Sequence, residues 1–215
     1  MSIVTGTICV LGHYGIGKTS LIKKYLFKEF GKNIESTIGA SIFSKFIKRD
    51  TFSVHATFWD TAGQEQYAPL IPMYTRSADV LLCCVELSVE DTISYIEKNI
   101  ENIISSRIKN PPSVLYIVAT KIDLEKNKKN SVKKTNDLFK FIKEILDKHN
   151  LEDKIHLGVY FTSSLSNYNV SELFYECLEQ VYNNKTIYYQ KKESIILEEN
   201  EKMIEERNKK CCKLY

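Results

Sequence analysis

Short, unbroken apolar runs alternate along the chain with longer amphipathic stretches. The runs are Thr7–Leu11, Val80–Val85, Val114–Ala119 and Leu157–Phe161. Their lack of in–out alternation suits strands covered on both faces, as in a parallel sheet. Phe52, Val54, Ala56 and Phe58 instead occupy every second position, the pattern of a strand with one face more open. Ile42–Lys48 is its expected antiparallel neighbour. Helices are predicted over Thr19–Phe30, Thr92–Ile108 and Val132–His149. A last one is predicted from Val170, where Leu173, Phe174, Cys177, Leu178 and Val181 recur at helical spacing. The alternation predicts a doubly wound α/β fold with a mostly parallel six-stranded sheet flanked by helices. Ligands in such sheets bind at the carboxyl ends of the strands, so distinctive residues should directly follow the runs.

They do. After the first run comes Gly12-His13-Tyr14-Gly15-Ile16-Gly17-Lys18-Thr19 and then Ser20, matching G-x-x-x-x-G-K-[ST]. Glycines let the backbone wrap phosphates with its N–H groups inward, and a helix starting there adds its positive end. Lys18 is placed to reach the β and γ phosphates, and the Thr19 hydroxyl to ligate magnesium. Gly12, Tyr14, Gly15, Ile16, Gly17, Lys18, Thr19 and Ser20 are therefore the expected phosphate-binding residues, in a motif that does not separate ATP from GTP.

Trp59-Asp60-Thr61-Ala62-Gly63-Gln64 follows the alternating strand. Asp60, an acid at a strand end, is expected to hold the magnesium shell, and Gly63 to offer its N–H to the γ-phosphate. Gln64 is expected to orient the attacking water, as the catalytic residue. Thr120-Lys121-Ile122-Asp123 follows the Val114–Ala119 run. The Asp123 carboxylate can accept two N–H bonds from guanine, where adenine presents a different pattern, and the Lys121 stem can pack across the base.

Glu35-Ser36-Thr37-Ile38-Gly39-Ala40, then Trp59 to Gln64, then Pro72-Met73-Tyr74 resemble the Rab family of Ras-type G domains, especially its early-endosomal branch. The resemblance covers roughly residues 5–183 and implies a GTPase turning GTP into GDP with Mg2+. It implies Thr37 as the switch I threonine that closes on magnesium and γ-phosphate, giving Thr19, Thr37 and Asp60 as metal-side residues. It also implies Phe30 against the guanine and Gln64 as the glutamine opening switch II. Thr162-Ser163-Ser164-Leu165 then forms the loop whose backbone meets the guanine carbonyl. Ile38, Phe43, Trp59 and Tyr74 are the apolar effector contacts expected on switch I and switch II, with partial burial in the core as the alternative for the aromatics. An exchange factor, a GTPase-activating protein, a GDP-dissociation inhibitor and a prenylation escort follow from the family alone.

The chain departs from that family at three places. Thr120 stands where most members carry Asn, which ties the base loop to the phosphate loop. Ser164 and Leu165 replace Ala and Lys. Tyr14 replaces a small residue beside the γ-phosphate, leaving two outcomes open. Either the ring crowds Gln64 or blocks an arginine finger and slows hydrolysis, or it turns outward to solvent.

Composition adds little to this until the C-terminus. A net charge of +3 is too small to imply a nucleic-acid partner, and no apolar run reaches the roughly 20 residues of a membrane span. Cys9, Cys83, Cys84 and Cys177 lie on apolar runs or faces, as reduced thiols behaving as small hydrophobes. From about Asn184 the chain turns Lys- and Glu-rich, so 1–183 is expected to be the G domain and 184–215 a polar tail. Cys211 and Cys212, five and four residues from the end, resemble the double geranylgeranylation signal of Rab proteins, and two lipid chains anchor stably where one does not. The expected location is the cytosol and the cytoplasmic face of an intracellular membrane, endosomal by the likeness, in vesicle trafficking. A nucleotide-stabilised module without turnover and a P-loop kinase or ATPase are the rival readings.

Overall fold

The computed structural model describes residues 3–31, 36–89, 91–125 and 128–189. The order is β1 (Ile3–Leu11), α1 (Lys18–Phe27), β2 (Ala40–Lys48), β3 (Ser53–Thr61), α2 (Ile71–Thr75), β4 (Val80–Val85), α3 (Asp91–Ser106), β5 (Val114–Ala119), α4 (Lys128–Lys148) and β6 (His156–Phe161). A final helix, α5, covers 170–189. The six strands lie in the order β2-β3-β1-β4-β5-β6. Only β2 runs antiparallel, paired to β3 with Ile42 opposite Trp59 and Phe43 opposite Phe58. The predicted fold class is the observed one.

The apolar runs lack alternation because both faces of the sheet are covered. Ile8, Val10, Leu82, Cys84, Tyr116 and Val118 face a core shared with Leu21 and Ile22 of α1 and Phe174, Cys177 and Leu178 of α5. Their immediate neighbours Cys9, Leu11, Leu81, Cys83, Leu115 and Ile117 face the other core, with Ile96, Ile100 and Ile104 of α3 and Leu138, Ile142 and Leu146 of α4. This is the period-two geometry of a strand with an apolar layer on each side. The four described cysteines are free and buried. Burial pushes the Cys84 thiol up to about 12, so it packs as a small hydrophobe rather than reacting.

Several helix boundaries differ from the predicted ones, three of them by more than one residue. α1 ends at Phe27 rather than Phe30, because Lys28 enters the left-handed region (φ 62°) and returns its N–H to the Lys24 carbonyl at 3.1 Å, a C-terminal stop. Lys45 Nζ caps the Leu26 carbonyl at 2.7 Å. Phe30 is thereby left in extended chain. α4 begins at Lys128, ahead of its first apolar residue, since lysine is a good helix former without burial. α3 stops at Ser106 rather than Ile108. α5 runs past the compositional shift at Asn184, where Lys185 pairs with Asp79 at 3.0 Å.

The carboxyl ends of β1, β3, β4 and β5 open on one edge of the sheet, and the loops after them carry the site.

Candidate functional site

The β1–α1 loop wraps around its own lysine. Gly17, the residue before α1, has φ 97°, which favours glycine strongly. Lys18 folds back so that Nζ donates to the carbonyls of Gly12 and His13, each at 2.8 Å. Burial lowers the lysine pKa to about 8, against the opposing pull of Cys84 and Asp60. An anion entering the loop would favour the charged form that burial disfavours.

Beside it lies a knot of oxygens. The Thr19 hydroxyl donates to Asp60 Oδ2 at 2.7 Å, Thr37 Oγ1 reaches the same oxygen at 3.4 Å, and the two hydroxyls are 3.1 Å apart. Asp60 is fully buried. Its Oδ1 has no hydrogen-bond partner among the described residues. Burial raises the Asp60 pKa, while the Thr19 hydrogen bond, Lys18 and the Thr37 hydrogen bond oppose the shift. A buried carboxylate oxygen without a partner is costly. Two hydroxyls and a carboxylate form the all-oxygen donor set that a hard divalent cation takes, so Thr19, Thr37 and Asp60 fit magnesium.

Gly63 closes against this loop. A Cβ there would lie 2.4 Å from the Gly12 carbonyl oxygen and 2.4 Å from the His13 carbonyl carbon, so no other residue fits this approach. Tyr14, Gly15, Gly17, Lys18, Thr19, Ser20, Thr37 and Gly63 line one cavity, joined by Ser36. Gln64 is not among the residues lining it. Its amide oxygen accepts from Gln66 Nε2 at 2.9 Å. Tyr14 is half exposed, but its hydroxyl is not free, standing 3.2 Å from Ser36 Oγ.

A second cavity adjoins the first and is lined by Ile16, Gly17, Ser20, Phe30, Thr120, Lys121, Asp123, Ser164 and Leu165. The Thr120 hydroxyl donates to the Ile16 carbonyl at 2.7 Å, so the tie to the phosphate loop persists without asparagine. Lys121, in the left-handed region at φ 53°, donates to the Gly15 carbonyl at 2.8 Å and pairs with Glu86 at 2.7 Å. Its ammonium is thereby pinned while its stem lines the cavity. The Ser163 hydroxyl donates to Asp123 Oδ1 at 2.5 Å, and Ser163 Oγ accepts from the Ser166 N–H at 3.2 Å.

Three contributors lie outside the sequence reading. Ser36 escaped it although it adjoins Thr37. Glu86 stands one residue past the β4 run, where the strand-end rule points. The Ser163 side chain, rather than its backbone alone, holds the base-side acid. The suggested effector contacts divide: Ile38 is 81% exposed, but Tyr74 is only 4% exposed and packs against Trp59 with ring centroids 5.5 Å apart. Tyr74 is thus core, packed from α2 into the cluster that holds Ile71 and Leu11. Cys211 and Cys212 lie outside the described residues.

Comparison with known proteins agrees with this geometry. The model of the Ras family matches residues 7–183. Rab-22A of Mus musculus is 29% identical over 177 residues, covering 81% of this chain and 82% of the relative. Rab5 of Nicotiana tabacum is 28% identical over 176 residues, covering 81% and 80%. Rab-7a of Dictyostelium discoideum is 33% identical over 129 residues, covering 59% and 64%. With its phosphate loop, oxygen knot and base cavity on one sheet edge, this chain belongs to the Ras family as a divergent Rab-type small GTPase, allied to the early-endosomal branch.

Proposed function

We propose that this chain cycles between GDP- and GTP-bound states to recruit effectors in intracellular vesicle trafficking. The observation that carries the reading is the Thr19–Thr37–Asp60 oxygen knot with its partnerless buried Oδ1, beside the Lys18 loop. Backbone amides of Tyr14 to Thr19 and the Lys18 ammonium bind the phosphates, with Lys18 exchanging its carbonyl partners for phosphate oxygens. Thr19 and Thr37, with Asp60 behind, would hold magnesium, which would supply charge neutralisation for the phosphates. Asp123, oriented by Ser163, selects guanine, with Phe30, Lys121, Ser164 and Leu165 around the base.

With GTP bound, Thr37 and Gly63 are drawn to the γ-phosphate and order two loops; hydrolysis releases them. Gln64 reaches the attacking water by giving up its contact with Gln66. Exposed Ile38 and Met73 provide apolar contacts for effectors. The segment beyond 184 tethers the domain to an endosomal membrane through lipids on Cys211 and Cys212. No helix among the described residues is long and apolar enough to cross a membrane.

Purified protein with magnesium should bind GDP and GTP, exclude ADP and ATP, and release phosphate from GTP. Equal uptake of adenine and guanine nucleotides would overturn the reading. Replacing both Cys211 and Cys212 with Ser should move the protein from membranes to cytosol, and unchanged membrane association would remove the lipid anchor.

A further inference from the structure

The phosphate loop is the most firmly held part of the site, and it carries a side chain that reaches across the cavity mouth. Tyr14 lies three residues past the end of β1, whose Ile8, Cys9, Val10 and Leu11 are buried, and the loop is tied internally by Lys18 to the Gly12 and His13 carbonyls. Ser36, opposite, precedes Thr37, whose hydroxyl contacts among the described residues are at 3.1 Å to Thr19 and 3.4 Å to Asp60. The Tyr14 hydroxyl lies 3.2 Å from Ser36 Oγ, and both residues line the phosphate cavity with Lys18 and Thr19. A small residue at position 14 reaches nothing there. A tyrosine does, at low entropic cost, because its ring has only two torsions to fix.

We propose that Tyr14 is a positioning residue for Thr37: its phenol latches Ser36 and holds switch I closed over the γ-phosphate position. The proposal rests on the nucleotide-switch reading above and adds to it a hold that comes from the phosphate loop itself. The latch acts in the state in which Thr37 is drawn in, so it prolongs the triphosphate-bound state more than the diphosphate-bound one. It also roofs the cavity with a ring that an incoming side chain must displace.

The test uses the full chain with magnesium, loaded with a fluorescent non-hydrolysable GTP analogue or with fluorescent GDP. Tyr14→Phe keeps the ring and removes the hydroxyl; Ser36→Ala removes the partner. Each should speed release of the triphosphate analogue about two- to tenfold, the range for one hydrogen bond, and speed GDP release by less. The double variant should be no faster than the faster single one, because both remove the same contact. A Tyr14→Phe rate equal to wild type, additive effects in the double variant, or equal acceleration of both nucleotides would each overturn the latch. Wild-type protein that takes up neither nucleotide would overturn the underlying reading and the latch with it, a failure recognisable because it precedes any substitution.

Discussion

The Thr120 hydroxyl donates to the carbonyl of Ile16 at 2.7 Å, across a sequence separation of 104 residues. One short side chain thus binds the base loop to the phosphate loop, and a second contact to the Val85 carbonyl at 3.2 Å anchors it to the end of β4. Thr120→Val keeps the shape and removes the donor, leaving a buried carbonyl short of a partner at about 1–3 kcal/mol. Release of fluorescent GDP should be about tenfold faster, with Thr120→Asn close to wild type because an amide donor remains. A Val variant releasing GDP at the wild-type rate would show that the tie does not hold the loops.

Gly63 has no room for a methyl group. A Cβ 2.4 Å from Gly12 O sits well inside van der Waals contact, and the obstacle is backbone that cannot rotate away. Gly63→Ala should push the start of switch II off the phosphate loop. GTP hydrolysis should fall at least about tenfold, a barrier increase of about 1.4 kcal/mol, while GDP affinity changes little. Single-turnover hydrolysis beside GDP titration separates the two.

Asp123 works through the hydroxyl that faces it. Ser163 is 1% exposed and donates to Oδ1, fixing the carboxylate plane for a two-point contact with a base. Ser163→Ala should weaken GDP binding by about ten- to hundredfold, as expected for one lost hydrogen bond to a charged group. Calorimetric titration with GDP measures it. Unaltered affinity would mean that the carboxylate needs no orienting partner.

Away from the site, Glu176 accepts hydrogen bonds from Tyr116 at 2.8 Å and from Tyr160, with His156 at 3.6 Å. Burial pushes the carboxyl up, but the bonds from Tyr160 and Tyr116 and the neighbouring His156 together outweigh it and hold the carboxyl below its ordinary 4.5. A depressed carboxylate contributes stability that is present above its unfolded-state pKa and lost as pH falls through the folded one. Wild type should therefore lose melting temperature on acidification below about pH 4.5 more steeply than Glu176→Gln. Parallel melting curves of the two proteins would contradict this assignment.

The sheet, its order of apolar runs and the loops that carry chemistry were all legible in the residues, because each reports a local requirement. Burial on both faces demands unbroken apolar strands, and a phosphate loop demands glycines followed by Lys18 and Thr19. Helix ends are less legible: the stop after Phe27 is set by Lys28 turning left-handed and by Lys45 reaching over from β2 to the Leu26 carbonyl, nineteen residues away in the chain. The same limit explains Tyr74, whose place in the core depends on how α2 packs, and Tyr14, whose hydroxyl meets Ser36 from a separate loop. The sequence by itself determined the fold class and, from spacing within successive strand–loop units, which loops are expected to carry the phosphate- and base-side residues. The tertiary structure alone decided which side chains meet across the site: Thr120 with Ile16, Ser163 with Asp123, Glu86 with Lys121 and Tyr14 with Ser36. Those pairs join residues from different strand ends, and only the closing of the sheet brings their hydrogen-bonding atoms together.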